Sequence, residues 1–469
     1  MNGMRWRINR MCLMAGIALT GAVGLMAEDA ATATAAAAAA VAPAVAPAVA
    51  AAPAAAASAI NSGDTTWVLV STALVMLMTI PGLALFYGGL VRRKNVLSVL
   101  MQCFFLVCLV SVQWVVFGYS LAFGPDVKGM IGNLSWAMLN HVGQDANADY
   151  AATIPHQVFM LFQMMFAVIT PGLIVGAFAE RMKFSAFALF STLWATIVYD
   201  PVAHWVWGVG GFLRKLGALD FAGGTVVHIN AGIAALVCAL VLGRRLGYPN
   251  KLSPPHNLPF AVIGASLLWF GWFGFNAGSA LAANGLAGSA FLATHIATAV
   301  AGLAWATMDL AFNKHVTVLG IISGAVAGLV AITPAAGFVT AGGAMIIGAG
   351  AGVICYLFVS VVKPRLGYDD SLDAFGVHGI GGIWGALATG LFATTAVNSA
   401  GANGLFYGNA AQFLIQLKAV LVTVVYSGVM SFVILKIVDA VLGLRATEQS
   451  ERIGLDLTDH RETGYTLLD

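Results

Sequence analysis

Charged residues are scarce in this chain of 469 residues: Lys, Arg, Asp and Glu together make up 9% of it, against roughly 25% in an ordinary soluble domain. That deficit excludes a solvated globular domain, and no nucleic-acid partner is expected. Cysteine is scarce too, with five residues. Cys12 lies near the N-terminus, and Cys103, Cys108, Cys238 and Cys355 fall inside apolar runs. No loop carries a cysteine pair, so neither a disulfide framework nor a metal site is indicated, and the thiols read as packing residues. There is no metal constellation, no nucleophile beside its base and no phosphate-cradling loop, so an enzyme is not expected and no cofactor is called for.

What the chain does have is apolar length. Hydrophobic residues account for 60% of it and there are 54 glycines, a composition that lets helices pack backbone to backbone in lipid. Eleven apolar spans follow one another, at about 67–89, 97–123, 156–179, 184–208, 226–243, 258–282, 288–311, 316–334, 337–362, 376–396 and 412–440. A helical crossing needs about 20 residues, and open strands cannot satisfy their backbone in lipid. The expected fold is an all-α polytopic membrane protein of eleven transmembrane helices, with the fifth and eighth spans short.

Upstream, Arg5, Arg7 and Arg10 precede an apolar stretch from Met11 to Met26, the pattern of a secretory signal. Residues 1–27 are assigned to it, with cleavage after Ala27 or Ala33, and an uncleaved anchor is the alternative. Residues 28–65 form an Ala/Pro-rich lead-in, where Pro43, Pro47 and Pro53 oppose a stable helix. Residues 66–442 are the transmembrane domain and 443–469 the tail.

Basic residues orient the bundle. Arg92, Arg93, Lys94, Arg181, Lys183, Arg244, Arg245, Lys251, Lys314, Lys363 and Arg365 all fall in loops on one side, whereas the other side carries Lys128, Arg214 and Lys215. The mature N-terminus is therefore expected outside, in the periplasm, and the tail in the cytoplasm.

Two histidines lie deep in these runs: His228 in Gly-Gly-Thr-Val-Val-His-Ile-Asn and His378 in Phe-Gly-Val-His-Gly-Ile. An ionisable ring at that depth is costly and normally faces a pathway or a partner. The bland reading is two core imidazoles bonded to neighbouring helices. Each follows an aspartate and a glycine cluster, Asp220 before His228 and Asp373 before His378. Five spans separate them, so a repeat of that length is an inverted five-helix repeat, a common transporter design with its site at the interface. Aromatic and hydroxyl residues recur near expected outer ends: Phe162, Gln163 and Phe166; Trp205 and Trp207; Trp272, Phe275 and Ser279. Such aromatics are usually belt or packing. Converging with a hydroxyl and two imidazoles, they would attract a small cation by about 2 kcal/mol or more once desolvated.

Five long stretches carry a specific resemblance: Pro81 to Asn95 (PGLALFYGGLVRRKN), Gly172 to Arg181 (GLIVGAFAER), Gly217 to Asp220 running on to His228-Ile-Asn-Ala231, Trp272 to Ser279 (WFGFNAGS), and Asp373 to His378 (DAFGVH). From residue 66 to about 460 the chain resembles the ammonium transporter family, the Amt/Mep/Rh superfamily, in its bacterial Amt form. The resemblance implies a homotrimer in which each protomer has its own pore for ammonium or ammonia. It places Phe162, Trp207 and Ser279 at an outer recruitment site and Phe166 and Phe275 in a stacked gate beneath it. His228 and His378 would be a hydrogen-bonded pair in the lumen, and Asp220 a buried support for the recruitment site. Gln163 and Trp272 match pore-adjacent positions; Tyr87, Thr333 and Asn276 match as scaffold.

The resemblance further implies the bacterial inner membrane and a trimeric nitrogen-signalling partner of the PII class at the cytoplasmic face. Gly443-Leu-Arg445 and Glu451 to Asp456, followed by His460 and Glu462, look like the family tail. Departures are the long lead-in and the pair Arg214-Lys215 before Asp220, expected to sit away from the outer vestibule. The alternatives are a sensor or transceptor built on the same fold, which the short tail makes the less expected, and a channel for another neutral gas such as carbon dioxide.

Overall fold

The computed structural model describes residues 60–465 apart from position 252. The expected signal segment, Cys12 and nearly all of the lead-in lie outside the described residues. The chain forms, in order, α1 (Ser62–Leu90), α2 (Arg93–Phe123), α3 (His156–Phe178), α4 (Phe184–Leu216), α5 (Gly224–Leu242), α6 (Leu258–Ala280), α7 (Gly285–Asn313), α8 (Val318–Ile332), α9 (Ala341–Leu366), α10 (Phe375–Phe392) and α11 (Ala410–Leu442). The architecture is that of an all-α polytopic membrane protein. Ten of these helices are long and apolar enough to cross a bilayer, whereas α8 has 15 residues. Of the two spans expected to be short, the eighth is the one that falls below crossing length. Thr333-Pro334 follows its last turn, and proline cannot continue a helix. The lead-in boundary moves as well: Asn61 caps the first turn by accepting from the Asp64 amide, so residues 62–65 are helical.

The central element is α3, almost wholly buried, with α1, α2 and α5 against it. On the other side α7 packs on α8 and α9 through small residues. The α8 glycines Gly324 and Gly328 face Ala301, Trp305 and Ala297 of α7, and Gly348 and Gly352 of α9 face Ala297 and Ala301. Close backbone approach of this kind is how helices associate where lipid is as apolar as the side chains. The 33-residue α11 lies across α4, α5 and α10. Between α2 and α3 two short antiparallel ladders, Asp126–Val127 with Ile131–Gly132 and Ala146–Asn147 with Ala151–Pro155, form a cap on one face.

The opposite face carries the basic loops and is tied together by charge. Arg92 donates to both oxygens of Glu180, Arg245 reaches Glu180 at 3.4 Å, and Arg245 also grips Asp369 with contacts of 2.8–3.2 Å. Arg181, wholly buried, donates to the Asp369 carbonyl and the Ser371 hydroxyl. Four loops are joined this way. Burial alone would raise the Glu180 and Asp369 carboxyls, but hydrogen bonds and charge from Arg92 and Arg245 outweigh it and hold both below the ordinary range.

The tail seats on the same face as two short helices, α12 (Glu448–Ile453) and α13 (Leu455–His460). Asn95 accepts from the Leu455 amide, Asp456 accepts from the Ser98 amide, and the Lys94 ammonium donates to the carbonyls of Glu451 and Arg452. Arg445 pairs with buried Glu451, and Tyr465 meets His256 at 2.9 Å.

Candidate functional site

His228 and His378 both sit at the N-terminal ends of mostly buried helices whose first turns are wound wide. His228 lies in the π-helical turn Gly224–Ile229 that opens α5, and His378 in the equivalent turn Phe375–Gly379 that opens α10. Such turns concentrate at functional sites. An aspartate anchors each. Asp220 accepts four backbone amides, those of Gly223 and Gly224 on one oxygen and of Thr225 and Val226 on the other, at 2.7–3.2 Å. Asp370 accepts the amides of Ala374 and Phe375 at 3.1 and 2.7 Å. A carboxylate on the orphan donors of a helix N-terminus is the arrangement its dipole favours. The counterpart of Asp220 is therefore Asp370, not Asp373. Asp373 is turned away, with φ +61° and its carboxylate paired to Lys363.

The two helices meet at their glycines. A Cβ on Gly232 would lie 2.1 Å from the Gly379 nitrogen, and one on Gly382 would lie 3.1 Å from the His228 Cβ. This crossing brings the imidazoles to a centroid separation of 5.4 Å with planes 15° apart. The expected hydrogen bond between them is not formed: neither ring nitrogen of His228 has a partner among the described residues, nor has Nδ1 of His378. His228 instead lies nearly parallel to Trp272 (5.4 Å, 21°) and Phe275 (6.0 Å, 28°), and that packing fixes its plane. Trp272 is itself held by donating to the Thr333 hydroxyl at 2.8 Å. The surrounding cavity is narrow and apolar, lined by Met78, Leu83, Ile169, Leu173, Val227, Leu268 and Val326. His378 also borders a wider cavity toward the basic-loop face, beside Tyr87, Trp305, Asp309, Ser323 and Asp373.

Toward the opposite face the aromatics converge. Phe166 and Phe275 approach to 4.3 Å between centroids at 36°, and both are essentially fully buried. Phe166 also meets Phe162 (5.0 Å, 71°) and Trp207 (5.8 Å, 88°). Phe162 packs beside Gly278, and the Ser279 hydroxyl donates to the Phe275 carbonyl at 2.8 Å. The indole of Trp207 donates to the Asp220 carbonyl at 2.9 Å, so one residue anchors both α5 and the tryptophan. Trp207, Phe162, Phe166, Phe275, His228 and His378 thus form one column of ring contacts, to which Asp220 and Ser279 are joined by hydrogen bonds. Of the others, Tyr87 donates to the Leu173 carbonyl, and Asn276 to the Thr294 hydroxyl; Gln163 Oε1 is buried without a partner among the described residues.

The model of the Ammonium Transporter Family matches residues 66–465. The chain belongs to the ammonium transporter family. Among relatives of this ammonium transporter family protein, an ammonium transporter of Bacillus subtilis is 57% identical over 86% of the chain and 98% of the relative. One from Aquifex aeolicus is 51% identical over 87% and 94%. Of solved structures, Mep2 of Saccharomyces cerevisiae aligns with a TM-score of 0.78 at 35% identity, over 83% of the chain and 88% of Mep2. A sensor Amt protein aligns at 0.78 and 30%, over 85% and 98%.

Two features of this arrangement were not read from sequence. Asp370 was missed because three acidic residues fall within 369–373 and only geometry separates their partners; its spacing of eight before His378, the same as Asp220 before His228, was the available signal. Arg214 was expected away from the mouth, yet its guanidinium donates to the Trp207 carbonyl at 2.6 Å.

Proposed function

We propose that the protein takes up ammonium across the bacterial inner membrane by admitting the ion at Phe162, Trp207 and Ser279 and conducting ammonia past His228 and His378. The observation that carries this reading is the column itself: aromatic faces at one end, a closed Phe166–Phe275 pair, then two buried imidazoles in an apolar lumen. A dehydrated ion in such a corridor costs tens of kcal/mol unless it neutralises. Ammonium can do so, since its acidity resembles that of a lysine amine and burial depresses an amine by roughly 3–5 units. Potassium has no proton to lose. Neutral imidazoles offer one donor and one acceptor each, which suits the passing ammonia and a separately relayed proton. The mature N-terminus is periplasmic and the tail cytoplasmic in this reading. The working assembly is a homotrimer, and the seated tail belongs to the face that meets a PII-class partner.

Current measurements on proteoliposomes adsorbed to a solid support test it. Ammonium pulses are expected to evoke current and potassium pulses none, with His228→Ala/His378→Ala silent. Equal conduction of potassium by the intact protein would overturn the reading, and carbon dioxide permeation without ammonium current would replace it with gas conduction. A sensing role is the second reading, favoured by the likeness to a sensor Amt protein; ammonium binding with no current would select it.

A further inference from the structure

At the mouth, α4 breaks after Trp207. Gly208 to Gly211 reverse the chain, with φ +99° at Gly210, and the short turn Phe212–Leu216 folds back. The last carbonyls of a helix have no intrahelical partner, and that of Trp207 is taken by Arg214 at 2.6 Å. The guanidinium also lies 5.9 Å from the centre of the Tyr150 ring. The Tyr150 hydroxyl in turn accepts from the Val209 amide at 3.0 Å. Trp207 is therefore fixed at both ends: its indole by Asp220, its main chain by Arg214 and the Tyr150 clasp on the following turn. The neighbouring Lys215 is mostly exposed, and its ammonium lies 3.7 Å from the Asp126 carboxylate.

We infer that Arg214 is a positioning residue for ammonium recruitment, holding the Trp207 main chain so that its ring stays at the mouth. The inference rests on the reading of Trp207 as part of the recruitment site. A cation at the mouth would by itself repel ammonium, so Arg214 acts in two opposite ways. Its contact with Trp207 favours recruitment, whereas its charge opposes it. Lys215 carries an equal charge one residue on without the contact, and separates the two effects. His204, one turn before Trp207, bridges the Ala122 carbonyl and Asp126 and is unchanged in all the variants below.

The test compares ammonium concentration dependence of the current for Arg214→Ala, Arg214→Lys, Lys215→Ala and Trp207→Leu in the full chain. Arg214→Ala is expected to raise the half-saturating concentration about 2- to 5-fold relative to Lys215→Ala, the range a cation at a helix C-terminus commands. Maximal current should stay unchanged, and Arg214→Lys should restore most of the shift. If Arg214→Ala and Lys215→Ala move half-saturation alike, Arg214 acts by charge alone and the inference falls. If Trp207→Leu leaves half-saturation where it was, the recruitment reading itself falls, and the inference with it.

Discussion

Gly232→Ala tests whether the crossing of α5 and α10 sets the imidazole spacing. The added methyl would sit 2.1 Å from the Gly379 nitrogen and 2.3 Å from its Cα. Both are backbone atoms, so no side chain can swing aside. Ordinary contact begins near 3.4 Å, and the two helices must therefore part by more than 1 Å at a point one turn from His228. Overpacking of this kind costs about 1–3 kcal/mol, partly offset by up to about 1 kcal/mol of helix propensity that alanine gains over glycine. The protein should fold. A reacting group misplaced by about 1 Å loses on the order of 100-fold in rate, and the ammonium-evoked current should fall by that order. Gly382→Ala is the graded control: its methyl would meet the Ile229 nitrogen at 3.0 Å and the His228 Cβ at 3.1 Å, which needs only a few tenths of an ångström. Currents from both variants, normalised to folded protein by size exclusion and thermal melting, decide the matter. A Gly232→Ala protein that conducts like the parent, or a Gly382→Ala protein that is the worse of the two, refutes the reasoning.

Asp220→Asn keeps one acceptor oxygen but turns an amide NH2 toward the Thr225 and Val226 amides. Buried donors left unpaired cost about 1–3 kcal/mol each, so a stability loss of about 2–6 kcal/mol is expected in detergent unfolding; none would contradict the anchoring role. Glu180 and Asp369 are held below the ordinary carboxylate range, so their contribution is complete above that range and is lost as pH falls through the depressed values. The melting temperature of the parent should drop below about pH 4, and Glu180→Gln/Asp369→Asn should be less stable at pH 7 with a flatter acid limb; parallel limbs would argue otherwise. Asn95→Ala removes the acceptor of the Leu455 amide and should speed proteolytic cleavage within 445–461, and an unchanged cleavage rate would show the tail is held elsewhere.

The helical bundle was legible because membrane helices announce themselves by length and apolarity, and the family because the stretches around Phe275 and the two histidines are long. The eighth span, read as 316–334, is helical only over Val318–Ile332, because hydropathy does not register where a backbone stops. Ring orientation was illegible: spacing brings His228 near His378, but the planes are set by Trp272 and Phe275 from another helix. The carboxylate that anchors α10 was hidden among Asp369, Asp370 and Asp373, whose partners come from three different elements. Arg214 was misplaced for a similar reason, because a reversal at Gly208–Gly211 returns it to the helix it had left.

The seated tail has a thermodynamic corollary. A segment already folded against Lys94, Asn95 and Ser98 has met its ordering entropy before any visitor arrives, whereas a segment that folds on contact surrenders several kcal/mol of its gross affinity. On the proposed orientation, a cytoplasmic protein docking on this face would meet a ready-made relief, and its association rate would report diffusion and orientation instead of coil-to-helix conversion.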